Sequence, residues 1–408
     1  MSKLEKLIQQ YCPDGVEYVP LSSIGTIKRG NGLQKKDFVK TGIGCIHYGQ
    51  IYTKFGLFTD KTLTYVDKNL ADHLLHIEKG DLVIACTSEN IEDVCKAVAW
   101  LGDDSIVTGG HSCVLHHNQN PKYIAYFFQT ESFQSQKRKY AYGTKVIDIK
   151  PDSIGKIEIP VPPLPVQEEI VRVLDAFTEL QAELQAELQK RNQQYNFYRD
   201  NLLNFKDINR GGQEIKWMKL KDVATVYDGT HQTPAYKKSG IPFISVENIG
   251  NIYNSRKYIS REDFDKYKIK PQKGDVFMTR IGSIGVCAVF EKQVDIAYYV
   301  SLALIRPDQN AVNSRYLKHI IESRTGCKEL RKRTLINAVP IKVNKDDIGK
   351  IVLPFPSLAE QQKIVDILDR FDTLTNDLTS GLPAEMEKRR QQYEFYRDKL
   401  LTFKRKEA

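Results

Sequence analysis

Two stretches of the chain carry apolar residues at steps of three and four, whereas the remainder carries short apolar runs. The two stretches lie within residues 161–210 and 355–408. Apolar residues at this spacing fall on one face of an α-helix, and a narrow stripe of this kind is typical of a coiled-coil seam. The pattern therefore predicts two long helices. The residues of the two stripes are Ile170, Val173, Phe177, Leu180, Leu184, Leu188, Tyr195, Tyr198, Leu202 and Phe205, and Ile364, Ile367, Phe371, Leu374, Leu378, Leu382, Met386, Tyr393, Tyr396, Leu400 and Phe403.

The short apolar runs predict strands. They are rich in β-branched and aromatic residues and are bounded by Gly, Pro and Asn, as in GDLVIA from Gly80, IPFISV from Ile241, GDVFMT from Gly274 and AYYVSLALI from Ala297. A few helices are predicted among them, from Lys3 to Tyr11, from Tyr123 to Gln129 and from Ser314 to Glu322. Each half of the chain is therefore predicted to contain a small α+β domain.

The two halves repeat each other. IGKIEIPVPPLPVQEEIVRVLDAF from Ile154 matches IGKIVLPFPSLAEQQKIVDILDRF from Ile348, at an offset of 194 residues (348 − 154). QQYNFYRDNLLNF from Gln193 matches QQYEFYRDKLLTF from Gln391, at an offset of 198 (391 − 193). The repeat predicts four segments: a first domain over 1–160, a helical segment over 161–210, a second domain over 211–354 and a second helical segment over 355–408.

Prolines and short repeats mark the helical segments. Pro160 to Pro165, and Pro354 to Pro356, cannot continue a helix or a central strand, so each predicts a stiff joint between a domain and its helix. Gly381 and Pro383 predict a kink or break in the second helix. The first helix carries ELQA from Glu179, ELQA from Glu183 and ELQK from Glu187, which suit either a solvent-facing helical stretch or a spacer of adjustable length.

The charge of the chain is concentrated in its second half. The 408 residues include 60 Lys+Arg and 51 Asp+Glu, for a formal charge of +9. Residues 211–350 hold 25 basic and 15 acidic residues, a difference of +10 (25 − 15). This asymmetry favours an anionic partner, of which nucleic acid is the commonest.

Cysteine usage and hydropathy predict a cytoplasmic protein. The seven cysteines form no CxxC pair and their number is odd, which favours reduced thiols over a disulfide or zinc framework. There is no run of about 18 apolar residues, and MSKLEKLIQQY lacks the apolar core of a signal peptide, so no membrane association is expected.

The repeated helical segments resemble those of the specificity subunit of type I restriction-modification systems. The similarity lies in the two-copy plan, the IP-x-P-P-x-x-x-QxxI joint, the leucine tetrapeptides and the QQYxFYRDxLLxF ending, and it extends over essentially the full chain. One departure is Val166, at the place where the second copy has Glu360.

The resemblance implies an α+β fold with two tandem α/β target recognition domains, separated by long antiparallel coiled-coil helices in a pseudo-twofold repeat. Each domain would read one half of a split site in double-stranded DNA. The helices would dock two methyltransferase (modification) subunits, through which restriction subunits join. The chain itself would bind no cofactor, and S-adenosylmethionine, ATP and Mg would be used on the partner subunits. The predicted subunit-interface residues are Leu180, Leu184, Leu188, Tyr195, Tyr198, Tyr393 and Tyr396.

Two basic triplets are candidates for phosphate contacts. Lys137-Arg138-Lys139 and Arg331-Lys332-Arg333 occupy equal places in the repeat and are followed by Lys145 and Lys342. A solvated charged face would explain them equally simply. Their paired occurrence favours a surface that tracks phosphates.

Turns beside strands are candidates for base contacts. In the second domain these are Thr230, His231 and Gln232, and Thr279, Arg280 and Ser283. Arg280 is suited to read guanine, and Gln232 or Asn248 adenine. In the first domain the matching places are held by Tyr48, Gln50, Thr87, Ser88 and Glu89.

Catalytic motifs are missing from the sequence, which has no GxxxxGK[ST], no HExxH and no nucleophile elbow. A non-catalytic subunit is therefore expected. The glycines of RIGSIG suit a turn between strands better than a phosphate loop, and the histidines at 73, 76, 111, 116 and 117 lack ligand spacing for a metal. A coiled-coil scaffold that binds another acidic macromolecule, and a DNA enzyme, remain as alternatives.

Overall fold

The computed structural model describes residues 2–205, 215–376 and 381–407. Contacts divide the chain into two compact units, which we call unit 1 (Met1–Leu184 with Met386–Ala408) and unit 2 (Gln185–Glu385). Unit 1 therefore contains both the start and the end of the chain. The segment boundaries at 160, 210 and 354 follow the repeat rather than these contacts, and they stay predictions.

Unit 1 contains two five-stranded sheets and two short strand pairs. Its strands are β1 (Tyr18–Pro20), β2 (Gly25–Arg29), β3 (Phe38–Val39), β4 (Ile43–Ile46), β5 (Phe58–Thr59), β6 (Thr64–Val66), β7 (Leu75–Ile77), β8 (Leu82–Ala85), β9 (Thr87–Ser88), β10 (Ala97–Trp100), β11 (Ile106–Thr108), β12 (Ser112–His117), β13 (Ile147–Asp148) and β14 (Glu158–Pro160). The sheet orders are β2-β12-β8-β10-β5 and β3-β6-β4-β11-β7, with β1 paired to β14 and β9 to β13. All four residues of β8 are buried, as a continuous apolar run predicts for a central strand.

The described part of unit 1 contains seven short α-helices, and in five of them the side chain of the preceding residue caps the first turn. They are α1 (Lys3–Tyr11), α2 (Leu21–Ile24), α3 (Tyr48–Thr53), α4 (Lys68–Ala71), α5 (Pro121–Phe127), α6 (Glu131–Arg138) and α7 (Pro151–Gly155). Asn120 caps α5 by accepting from two backbone N–H groups, and Pro121 at the first position has no N–H to satisfy. Five residues of α5 are buried in the core of the unit.

Within its described residues, unit 2 repeats this plan with fewer strands. Its strands are β15 (Lys216–Lys219), β16 (Ala224–Asp228), β17 (Ile241–Ile244), β18 (Tyr258–Ile259), β19 (Val276–Thr279), β20 (Cys287–Val289), β21 (Ala297–Tyr298), β22 (Leu302–Pro307) and β23 (Val352–Phe355). The sheet orders are β16-β22-β19-β20 and β18-β17-β21, with β15 paired to β23. Its helices, apart from the long ones, are α9 (Arg261–Asp265), α10 (Ser314–Glu322), α11 (Arg324–Arg331) and α12 (Lys345–Ile348).

The two predicted long helices are confirmed in most of their length. The first, α8 (Leu164–Leu202), has 39 residues, and Phe205, the last residue of its predicted stripe, lies beyond its end. The second segment forms α13 (Leu358–Asn376) and α14 (Leu382–Leu400), 19 residues each. Stripe residue Leu378 lies outside the described residues. Next to the predicted kink at Gly381, α14 begins at Leu382.

Three other sequence expectations can be compared with the structure. The run from Ala297 is interrupted and forms two strands, β21 and β22. Cys86 and Cys113 form a disulfide, which corrects the expectation that all cysteines are reduced. The mixed strands and helices of both units confirm the α+β prediction. Within the described ranges, the helices fall short of the combined length and apolarity that a membrane span requires.

Candidate nucleic-acid interface

Three loops of unit 2 lie together in the structure, and two of them carry residues that were predicted to contact bases. They are residues 228–233, residues 279–285, and the segment that we call the 335–342 loop. The guanidinium of Arg280 donates to the carboxylate of Asp228 and, through Nε, to the carbonyl oxygen of Val343 at 3.1 Å. The backbone N–H of Gly282 donates to the carbonyl oxygen of Ile341 at 2.8 Å. Segments far apart in sequence thus form one edge of unit 2.

This edge presents polar side chains to solvent. His231, Gln232 and Ser283 are exposed. Thr230 is half-buried, and its hydroxyl and the backbone of Gln232 exchange hydrogen bonds at 3.2 Å, which fixes the turn. Gly282 has a φ of +80°, a conformation that favours glycine, as predicted for a turn between strands. The edge can therefore offer both hydrogen-bond donors and acceptors.

Two of the predicted base-contacting residues hold the loops together instead. Arg280 is 6% exposed, and Thr279 is fully buried. The hydroxyl of Thr279 accepts from the backbone N–H of Val286 at 3.0 Å. The structure therefore places Arg280 and Thr279 in contacts within the unit, and their contact with DNA stays a prediction. Asn248 is also engaged, since it accepts from Ser245 and donates to Asn254.

The second basic triplet lies on the surface of unit 2, at the C-terminal end of α11. Arg331 and Lys332 are exposed and Arg333 is half-buried. Lys332 and Arg333 both pair with Glu329. Burial raises the pKa of Glu329, but the hydrogen bonds from Lys332 and a backbone N–H outweigh it, so its pKa stays below its usual value. In the described part of the chain, no carboxylate pairs with Arg331 or with the exposed Lys342.

The first basic triplet has a different structure. Lys137 is 1% exposed, and its Nζ donates to the backbone carbonyls of Glu92 and Val94, both at 3.0 Å. Burial lowers its pKa. The structure therefore places the ammonium of Lys137 inside unit 1, unlike the phosphate-facing position that was predicted. Arg138, Lys139 and Lys145 are exposed, and Arg138 pairs with Glu131 at 2.8 Å.

Unit 1 has an edge built in the same way. Strand β13 pairs with β9, and the guanidinium of Arg29 binds both carboxylate oxygens of Asp148, at 3.0 and 2.7 Å. Arg29 is the last residue of β2, and Asp228 is the last residue of β16, the corresponding strand of unit 2. Each edge therefore has an ion pair at this strand end, with the cation on the strand in unit 1 and the anion on the strand in unit 2. Thr87 is buried and its hydroxyl lies 3.0 Å from Nδ1 of His111.

The remaining candidates of unit 1 differ in exposure. Gln50 is held by Thr64 and by the backbone of His47, and Tyr48 packs against the rings of His47 and His111. Ser88 is half-buried and Glu89 is exposed. Of the matching places in unit 1, Glu89 is therefore the most accessible.

The sequence predicted a stiff proline joint between each domain and its helix, but sequence reasoning missed the buried glutamine at this joint. In unit 1 the side chain of Gln167 is fully buried. It accepts from the backbone N–H of Asn120 at 3.1 Å and donates to the carbonyl oxygen of Pro162 at 2.7 Å. The hydroxyl of Tyr123 donates to the carbonyl oxygen of Pro160 at 3.0 Å. The joint is stiff because buried hydrogen bonds fix the proline segment on both sides.

Unit 2 has the same joint. Gln361 is fully buried, accepts from the backbone N–H of Asn313 at 2.9 Å and donates to the carbonyl oxygen of Pro356 at 2.9 Å. Tyr316 donates to the carbonyl oxygen of Pro354 at 2.7 Å. The glutamine of the repeated QxxI motif was the sequence signal that could have identified this joint.

An aspartate two residues before each repeated phenylalanine adds further contacts between domain and helix. Asp175 accepts from Nζ of Lys122 and from the hydroxyl of Tyr126, both at 2.7 Å. Its counterpart Asp369 pairs with Arg315 and lies 2.8 Å from Nε2 of His319. Ion pairs as well as hydrogen bonds thus hold the domain of each unit to its helix.

The predicted subunit-interface residues vary in burial. Leu180, Leu184, Leu188 and Tyr393 are half-buried. Tyr195 is 5% exposed and its hydroxyl lies 3.1 Å from Nδ1 of His319, so it packs against its own unit. Tyr198 and Tyr396 remain 45% and 37% exposed. Their neighbours Phe197 and Phe395, at equal places in the repeat, are both 62% exposed.

Comparison with known proteins gives a consistent result. The model of the type I restriction modification DNA specificity domain matches residues 13–192 and 213–388. The specificity subunit of the type I restriction enzyme EcoR124I/EcoR124II from Escherichia coli is 31% identical over 100% of this chain and 98% of its own length. A putative type I restriction enzyme specificity subunit from Haemophilus influenzae is 35% identical over 61% of this chain and 65% of its own.

Solved structures share the fold. The S subunit of a type I restriction-modification system from M. genitalium has a TM-score of 0.52 at 14% identity, covering 95% of this chain and 96% of its own. A chain from a structural study of complex assembly in a type I restriction-modification system has a TM-score of 0.61 at 16% identity, covering 96% and 98%. The two-domain plan is thus confirmed.

Proposed function

Since the chain belongs to the type I restriction-modification DNA specificity family, we propose that it reads a split site in double-stranded DNA, with one half-site for each unit. The observation that carries the proposal is the edge present in both units, where loops joined by an ion pair expose polar side chains. Base edges are read by such side chains, while cations hold the phosphates. Arg331, Lys332 and Lys342 supply cations in unit 2.

The long helices would set the distance between the half-sites. A helix transmits spacing only if the domains cannot swing on it. The buried glutamines Gln167 and Gln361 and their proline partners support this requirement in each unit. Length changes in the repeated tetrapeptides would then alter the spacer and leave the half-sites unchanged.

The exposed aromatic residues of the helices would dock two copies of one partner. Phe197 and Phe395 occupy equal places in the repeat and are equally exposed, so one kind of surface occurs twice. Large aromatic side chains are typical anchors of protein interfaces. The occupant we propose is a methyltransferase subunit, with restriction subunits joining through it. Catalysis, with S-adenosylmethionine, ATP and Mg, would belong to these partners, and the assembly would work in the cytoplasm.

The test is to assemble the chain with the methyltransferase subunits of its host and to map the methylated sites. We expect a split sequence, methylated in both halves. Exchanging residues 1–160 for the first domain of another specificity subunit should change one half-site only. A continuous site, or no sequence preference, would reject the proposal.

Docking can be tested separately in the same assembly. Phe197→Ser and Phe395→Ser should each remove one methyltransferase subunit, as measured by mass photometry, without changing the thermal unfolding of the free chain. Leu63→Ser, at a residue 55% exposed in unit 1 and outside the helices, is the matched control. Full assembly of the double variant would exclude these aromatic residues as the docking surface.

A further inference from the structure

The 335–342 loop exposes apolar side chains beside the polar edge of unit 2. Val339 is 99% exposed and Ile336 is 68% exposed. Leu335 and Ile341 are exposed as well. Single exposed apolar residues are ordinary on protein surfaces, but a cluster in one short loop is typical of an interaction site.

The base of this loop is held firmly. The backbone N–H of Leu335 donates to the carbonyl oxygen of Lys342 at 2.8 Å, and that of Gly282 donates to Ile341 at 2.8 Å. The backbone N–H of Val343 donates to the carbonyl oxygen of Arg280 at 3.0 Å. A tip held in this way loses little conformational entropy when it binds.

The charges around the loop identify the kind of partner. Arg331 precedes the loop and Lys342 is its last residue; both are exposed and form no ion pair within residues 215–376 or the other described ranges. Cations left in this state attract a polyanion and release its counterions on contact. An apolar tip between such cations fits a DNA groove better than an apolar protein surface.

Unit 1 also has a loop with exposed apolar side chains beside exposed lysines, at the same place in the repeat. Tyr142 is 49% exposed and corresponds to Ile336 at the offset of 194 (336 − 142), and Val146 is 58% exposed. The backbones of Tyr142 and Asp148 exchange hydrogen bonds at 3.0 and 2.8 Å, which holds this loop at its base. Lys139 and Lys145 are exposed beside it.

We propose that the tip of each loop enters a DNA groove and makes apolar contacts with bases, through Ile336 and Val339 in unit 2 and through Tyr142 and Val146 in unit 1. Apolar side chains contact the thymine methyl group in the major groove, or enter a base step from the minor groove. This inference rests on the proposed function and adds a readout that hydrogen bonds do not supply.

The experiment uses the chain assembled with its methyltransferase subunits and a pool of duplexes randomised in both half-sites. Val339→Asp should lower affinity for the preferred duplex about tenfold, the effect of one mismatched base pair. It should flatten the preference at one or two positions in the half-site of unit 2. Val339→Thr, which keeps the shape, should act in the same direction more weakly. Val294→Asp, at a residue 43% exposed on another loop of unit 2, is the control and should have no effect.

Two probes identify the contact. Uracil in place of thymine at the flattened positions lowers affinity if the methyl group is touched, and 2-aminopurine fluorescence rises if a step is opened, so either result supports base contact. Unchanged affinity and preference in Val339→Asp would overturn the inference, as would a loss of subunit assembly with unchanged base preference. If the unsubstituted complex itself shows no salt-dependent, selective binding, the proposed function fails instead.

Discussion

Phe177 stacks on Tyr396, with ring centroids 5.7 Å apart and ring planes 22° from parallel. The repeat counterparts form the same pair in unit 2, where Phe371 stacks on Tyr198 at 5.4 Å and 25°. In each pair the phenylalanine comes from one copy of the repeat and the tyrosine from the other. Each unit therefore takes one helical segment from each copy, which accounts for the presence of both sequence blocks in both copies.

We expect these stacks to stabilise the units modestly. Offset aromatic pairs contribute about 0.5–1.5 kcal/mol beyond the area that they bury. A double-mutant cycle with Phe177→Leu and Tyr396→Leu, followed by urea denaturation, should give a coupling energy in this range. The same cycle on Phe371 and Tyr198 should agree with it. A coupling energy near zero would show that the stacked rings do not interact energetically.

The buried glutamine joint should contribute more to stability. Gln167→Leu leaves the backbone N–H of Asn120 and the carbonyl oxygen of Pro162 buried without partners, and we expect a loss of about 2–3 kcal/mol in the free energy of unfolding. Glu168→Leu, at the exposed neighbouring position, should be close to neutral. Equal losses in the free energy of unfolding for the two variants would show that the buried glutamine does not stabilise the joint.

Lys137 and Arg331 occupy equal places in the repeat, and we expect opposite phenotypes. Lys137→Ala removes a buried donor from two carbonyl oxygens, so it should destabilise unit 1 by about 2 kcal/mol. Arg331→Ala should leave stability within about 0.5 kcal/mol but weaken binding to all DNA sequences, and it should reduce the log–log salt slope by about one. Thermal unfolding and salt titrations of the assembled complex measure both effects. A changed sequence preference in Arg331→Ala would mean that this residue reads bases.

Inserting one Glu-Leu-Gln-Ala unit after Ala186 should widen the spacer between half-sites. Four residues add about 6 Å and about 40° to a helix, against about 3.4 Å and about 35° for one base pair of B-DNA. We expect a shift of one or two base pairs, with the half-sites unchanged, when methylated sites are mapped. An unaltered spacer would show that the helix does not set the distance.

His117 should make the stability of unit 1 depend on pH. Burial and the neighbouring imidazole of His116 lower the pKa of His117 to about 4. The unfolded chain then binds more protons than the folded chain between about pH 6.5 and 4, so stability is complete above this window and falls as the pH decreases through it. His117→Gln should reduce the dependence, measured by urea denaturation at several pH values, and the exposed His73→Gln should not. If the unsubstituted protein and both variants show the same dependence of stability on pH, His117 is not its source.

Local patterns in the sequence determined much of the architecture. The strands β8, β17 and β19 lie in the short apolar runs that predicted them, and the helices α1 and α10 have the predicted bounds. The long helices follow from the repeated stripe, and the family follows from the repeated blocks. These features depend on interactions between residues close in sequence, or on a comparison of the chain with itself.

The tertiary structure decided which side chains are exposed and therefore available for binding. The sequence places Lys137 and Arg331 at equal positions, but only packing against the segment of Glu92 and Val94 buries the first. Arg280 is basic in a loop, and only the fold brings Asp228 and Val343 to its guanidinium. The exposure of Val339 depends in the same way on hydrogen bonds between distant segments. Burial is the sum of contacts from residues far apart in sequence, so it could not be read from local patterns.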